Sequence, residues 1–117
     1  MFFGFGGPRI KEVEVEQVQA LMAEKGKEIL LLDVRTPDEF AQARVAGSKL
    51  IPLGELPKRL HEITAYKEKD VMVICRSGNR SASATAMLDQ AGFQRAHNVV
   101  GGVSAWHRQG LPLAFQG

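Results

Sequence analysis

Apolar residues gather in two short runs, Ile29 to Val34 and Val71 to Cys75. Each has the length of a strand buried on both faces. Around them apolar positions recur at helical spacing. Glu16 to Lys25 places Val18, Leu21 and Met22 on one face, and Gly26 ends the pattern. Pro37 opens a short helix through Phe40, with Asp38 and Glu39 in the first turn, where the helix dipole favours acids. Leu53 to Ile63 predicts a helix with Leu56, Leu60 and Ile63 in line and Pro57 near its start. Ser81 to Ala91 puts Ala84, Met87, Leu88 and Ala91 on one stripe, closed by Gly92. Ala96 to Val100 predicts a last strand, and Val103 to Gln109 a last short helix stopped by Gly110 and Pro112. Strands alternating with helices predict an α/β domain: a mainly parallel central sheet flanked by helices on both faces. Ligands in such sheets bind beyond the carboxyl ends of the strands. Asp33-Val34-Arg35 and Cys75-Arg76-Ser77 both fall at such ends.

The 117 residues suffice for one domain with its own core. We expect an N-terminal Phe/Gly arm over residues 1–9, the domain over 10–113 and a tail over 114–117. Residues 1–8 are apolar but lack the basic region and long apolar stretch of a signal peptide. No run approaches the roughly 18 apolar residues of a membrane span. Fifteen basic against thirteen acidic residues give a net charge of +2, too even to point to nucleic acid or a membrane surface. The single cysteine allows no internal disulfide, which fits a reducing, cytoplasmic setting. It also means that any covalent adduct on it must be discharged by an outside molecule. His61, His97 and His107 show no ligand spacing, so neither a metal nor a cofactor is expected.

The chemistry converges on one segment, Val71 to Ser81. A buried strand stops at the thiol of Cys75, and a short loop follows through Arg76, Ser77, Gly78, Asn79 and Arg80. Gly78 and Asn79 tolerate unusual backbone angles, so successive N–H groups can curl into an anion nest ahead of the next helix. Arg76 and Arg80 add positive charge, and Ser77 offers a hydroxyl. Cations and a helix N-terminus lower the pKa of a thiol, and the thiolate is its reactive form. The bland alternative is a structural cysteine ending a core strand. The Arg-Ser-Gly-Asn-Arg context outweighs it.

This loop resembles the active-site loop of the rhodanese (thiosulfate sulfurtransferase) family in its small single-domain form. Two further blocks carry the resemblance. Leu31 to Phe40 resembles the family's entry strand and turn, and Gly101 to Trp106, followed by Gly110-Leu111-Pro112, its closing turn and helix. The similarity runs from about Val13 to Leu113. It implies a rhodanese-like fold in which Cys75 carries sulfur and residues 76–80 cradle it. It implies transfer from an anionic donor such as thiosulfate, through a Cys75 persulfide, to cyanide, a thiol or a protein acceptor, by a monomer. Asp33 and Arg35 either hold the loop by charge-assisted hydrogen bonds or pair with each other and tie the strand end to Glu39 or the following helix. Trp106 reads as core packing. Family members often carry a histidine where Arg44 stands, so no role for that imidazole carries over.

Two rivals remain. Cysteine phosphatases and arsenate reductases of related architecture place five residues between cysteine and arginine, whereas four separate Cys75 from Arg80. The tighter ring suits one sulfur atom better than a phosphate. The second rival is a persulfide relay or binding domain that turns over little thiosulfate.

Overall fold

The computed structural model describes residues 10–115. The two apolar runs become strands buried at every position, Ile29–Asp33 (β2) and Asp70–Ile74 (β5). They pair in parallel at the centre of a five-stranded sheet, completed by Lys11–Val13 (β1), Lys49–Leu50 (β4) and Ala96–Val99 (β6). The order is β1-β6-β5-β2-β4, and every pairing is parallel.

Strand alternation divides the core into two halves. Leu30, Leu32, Val71 and Val73 face Leu56, Ile63, Leu88 and Phe93. Ile29, Leu31, Met72 and Ile74 face Val15, Val18, Val103 and Trp106. Each such buried side chain contributes about 1.5–3 kcal/mol. The α-helices Val15–Lys25 (α1) and Gly102–Arg108 (α5) therefore cover one face. The α-helices Leu56–Arg59 (α3) and Asn79–Gln90 (α4) cover the other. The expected α/β architecture is present. Gly26, with φ of 53°, ends α1 as expected.

The helix expected over residues 53–63 is broken. A 3₁₀ turn over Leu53–Glu55 leads into α3, and a second 3₁₀ stretch runs from Leu60 to Tyr66. Pro57 has no N–H to donate to the carbonyl four residues back, so an α-helix cannot run through it from Leu53. Beyond α3, Leu60, Ile63 and Tyr66 recur every third residue and all pack on the core. That spacing suits a 3₁₀ helix as well as an α-helix.

Two residues of the expected tail form a strand. Ala114–Phe115 (β7) pairs antiparallel with Ala43–Arg44 (β3), opposing Ala43 to Phe115 and Arg44 to Ala114. The N-terminal arm, residues 1–9, and residues 116–117 lie outside the described residues.

Candidate functional site

Cys75 follows β5 directly and continues its alternation, so its side chain turns to the α3/α4 half of the core. It is 1% exposed. The chain then turns sharply. Gly78 adopts the left-handed conformation, with φ of 110°, and α4 begins at the next residue.

The carbonyls of this loop are drawn outward. Cys75 O accepts from the Val103 amide at 2.8 Å and Arg76 O from the Ser104 amide at 3.0 Å. Both amides belong to the first turn of α5, where N–H groups have no partner within the helix. Gly78 O accepts from Asn98 Nδ2 of β6 at 3.2 Å. With the carbonyls held outside, the amides turn in. The Gly78 N–H meets Cys75 Sγ at 3.1 Å. The Ser81 hydroxyl lies 3.2 Å from the same sulfur. Burial pushes the Cys75 thiol up, but the Ser81 hydroxyl and the amides of Ser81, Gly78 and Ser77 outweigh it and hold its pKa below the ordinary cysteine value.

The glycine pair before α5 makes this docking possible. A Cβ on Gly102 would stand 2.2 Å from Cys75 O and 2.7 Å from Arg76 C and O, and its φ is 58°. Backbone meets backbone only because no side chain intervenes.

The structure separates the two loop arginines. Arg76 is exposed and makes no ion pair among the described residues. Arg80 is bound to Glu39 of α2 (Pro37–Gln42). This bond, chiefly, holds the Glu39 carboxyl down at about 2 against a smaller effect of burial. The hydroxyl at the sulfur comes from Ser81 in the first turn of α4, not from Ser77, which is exposed. Asn79 is exposed as well.

Asp33 and Arg35 do not bond to the loop. Arg35 Nη2 donates to Asp33 at 2.8 Å and to the Ala43 carbonyl at 2.7 Å, and Nη1 donates to the Glu39 carbonyl at 3.4 Å. Of the two readings the sequence left open, the geometry is that of a pair tying the end of β2 to α2. Its hydrogen-bonded link to the loop runs through Glu39 and Arg80. Arg44 is engaged nearby, donating to the Phe40 carbonyl at 3.3 Å with its guanidinium over the Phe40 ring. Trp106 is buried and donates to the Pro112 carbonyl at 2.8 Å.

Two buried residues at the site escaped the sequence reading. The sequence pattern sets Ser81 on the helix without a role, and it gives Asn98 none. The signal available for Asn98 is a polar residue within a short strand bounded by the apolar Ala96 and Val99. Beside the loop, an open cleft of about 360 Å³ is lined by Arg76, Glu39, Ser104, His107 and Phe115, among others. Among the described residues no group of His, Cys, Asp or Glu is placed to hold a metal, and no helix is long and apolar enough to cross a membrane.

An α/β domain with a thiol at the end of a central parallel strand, under a loop of inward-turned amides, is a recognisable class. Residues 14–109 match the Rhodanese-like domain family, and the chain belongs to it. It is 39% identical over 104 residues to a sulfurtransferase of Allochromatium vinosum, covering 89% of this chain and 94% of that protein. It is 34% identical over 97 residues to the putative sulfur carrier protein YrkF of Bacillus subtilis, covering 83% of this chain and 51% of that protein. The crystal structure of a rhodanese-related protein from Thermoplasma volcanium superposes with a TM-score of 0.74 at 33% identity, over 89% of this chain and 97% of that one. The protein is thus a member of a family of rhodanese-like sulfurtransferases and sulfur carriers.

Proposed function

We infer that the protein moves sulfane sulfur through a persulfide on Cys75, with residues 76–80 as the cradle. The observation that carries this reading is the position of Cys75 Sγ, under the Gly78 amide at 3.1 Å and the Ser81 hydroxyl at 3.2 Å. The thiolate of Cys75 attacks the outer sulfur of thiosulfate. The Sγ–S bond forms as the S–S bond of the donor breaks, and sulfite leaves with the bonding pair. The outer sulfur, now carrying the negative charge, faces the amides. Cyanide or a thiol then attacks it and regenerates the Cys75 thiolate. Exposure of only 1% at Cys75 favours a slender donor end over a bulky group. Arg76, charged and exposed, is the group that draws in the anion.

The relay reading shares every step but the acceptor. It is supported by the sulfur-carrier relative and by the open cleft beside Arg76. Phosphatase chemistry has less support. It needs an arginine to grip the oxyanion, and Arg80 is bound to Glu39. A reducing, cytoplasmic setting accords with the single cysteine.

Mass spectrometry after incubation with thiosulfate tests the reading. The native chain should gain the mass of one sulfur and lose it to cyanide or a thiol, and Cys75→Ser should gain nothing. A native chain that stays unmodified with thiosulfate and with organic persulfides would overturn it. Fast turnover with cyanide favours the enzyme; loading without turnover favours the relay.

A further inference from the structure

Behind the sulfur, Ser81 Oγ lies 3.2 Å from Cys75 Sγ and 2.5 Å from Asn98 Oδ1. A serine hydroxyl has one hydrogen, so it can donate to only one of these acceptors at a time. The orientation of Asn98 follows from its other bond: its amide nitrogen donates to Gly78 O, which turns Oδ1, an acceptor only, toward Ser81. Both residues are buried, and every buried side-chain polar atom among the described residues has a partner.

We propose that Asn98 and Ser81 form a hydrogen switch beneath Cys75, in which Asn98 competes with Sγ for the one hydroxyl hydrogen and so favours the persulfide over the bare thiolate. The proposal rests on the sulfur-carrying reading. With the thiol protonated, S–H donates to Ser81 Oγ and Ser81 donates to Asn98, so all three groups are satisfied. In the thiolate the hydrogen must serve either Sγ or Oδ1, and the other is left short of a partner in a buried site. In the persulfide the charge has moved to the outer sulfur, under the loop amides. Sγ, now bonded to two atoms and uncharged, is a weak acceptor, and the Ser81 hydrogen returns to Asn98. The thiolate alone is under-served. Its energy is raised relative to the loaded state, and it is more nucleophilic than a fully hydrogen-bonded thiolate would be. Asn98 is thus a positioning residue that acts through Ser81.

The other groups around the sulfur do not provide this effect. The charged ones are Arg76 on the loop, Arg80 from α4 bound to Glu39 from α2, and Asp33 paired with Arg35 at the end of β2. His107 of α5 lines the cleft with Arg76. None contacts the hydroxyl of Ser81. The residue that β6 presents to Ser81 is the neutral Asn98.

The test is the midpoint of Cys75 ionisation, read from thiolate ultraviolet absorbance against pH with Cys75→Ser as the blank. Asn98→Leu frees the hydrogen for Sγ, so the midpoint should fall by about one pH unit. Ser81→Ala should raise it. If Asn98 acts through Ser81, the double variant should match Ser81→Ala, whereas an effect carried through the Gly78 carbonyl, which Asn98 also holds, would persist without Ser81. In mixtures of thiosulfate and sulfite, Asn98→Leu should lower the ratio of loaded to unloaded protein about tenfold. A midpoint that falls equally with and without Ser81, or does not fall, would overturn the switch. Should Asn98→Leu fail to fold, Asn98→Asp carries the test. As a stronger acceptor it should raise the midpoint more in the native background than in Ser81→Ala, and equal rises would overturn the proposal. The two readings fail separately: midpoints as expected with no persulfide sink the sulfur reading, and persulfide with uncoupled midpoints sinks the switch alone.

Discussion

Arg80 and Glu39, 41 residues apart in the chain, meet in a two-pronged ion pair, Nη1 to Oε1 at 2.7 Å and Nη2 to Oε2 at 2.9 Å. Glu39 also closes the capping box of α2, accepting from the Thr36 amide at 3.0 Å. One carboxylate therefore fixes both the start of α2 and the first turn of α4, on which the Cys75 loop rests. Planar bidentate pairs of this kind are the stronger form of surface ion pair.

The pairing divides the labour of the two loop arginines. Arg76→Ala should raise the KM for thiosulfate by about tenfold, the size of one charge-assisted hydrogen bond. Added salt should imitate it in the native protein. Arg80→Ala should change donor KM less and lower thermal stability more. Steady-state kinetics at low salt checks both, and equal KM effects would show that the pair with Glu39 opens in solution.

Acid should loosen the same contact. The Glu39 carboxyl is held down at about 2 in the folded protein against an ordinary 4.5. A carboxyl lowered by folding adds stability above its unfolded value and loses it as pH falls toward the folded one. The loss therefore spans pH 4.5 down to about 2. Burial pushes the Asp70 carboxyl up, but Lys25 and Arg95 together outweigh it and lower it, so Asp70 adds to the slope. Glu39→Gln should flatten the pH dependence of the urea midpoint across that window, and an unchanged slope would mean that the pair contributes no stability.

Legibility in the sequence followed burial and chemistry. β2 and β5 were visible because burial on both faces leaves a solid apolar run. The Cys75 loop stands out in the sequence because a thiol, a glycine and two arginines crowd one segment. β1, β3, β4 and β7 were not, because two or three residues are too few for any period to register. The separate fates of Arg76 and Arg80 depend on Glu39, which only the fold brings near. Asn98 is set in place by strand order, since β6 lies beside β5, and the sequence does not state that order.

Gly102 offers a test of the loop's anchorage. Gly102→Ala adds a methyl 2.2 Å from the Cys75 carbonyl at a φ of 58°. The first turn of α5 must withdraw, releasing the carbonyls of Cys75 and Arg76. We expect a loss of about 2 kcal/mol or more in stability and a still larger proportional loss of persulfide lifetime. Gly110→Ala is the control: its φ is 75°, but a Cβ there meets nothing within 4 Å. Persulfide lifetimes that fall equally in both variants would show that backbone strain, not contact with the Cys75 carbonyl, is responsible.

Loop size should decide between sulfur and phosphate. Four residues separate Cys75 from Arg80, and the amides that close on Sγ come from Ser77, Gly78 and Ser81. A phosphate needs donors spread around several oxygens and a free guanidinium, while one sulfur atom needs only a narrow ring. The native protein should load one sulfur and leave an aryl phosphate intact. Inserting one glycine between Ser77 and Gly78 widens the ring and displaces the Gly78 amide from its 3.1 Å contact with Sγ. Persulfide lifetime should then fall by about tenfold, the worth of one loop amide's hydrogen bond to the charged outer sulfur. Asn98 would still hold the Gly78 carbonyl at the start of α4, so the helix should survive, which circular dichroism would register. Aryl phosphate turnover by the native protein that vanishes in Cys75→Ser, with no sulfur gained from thiosulfate, would reverse the assignment.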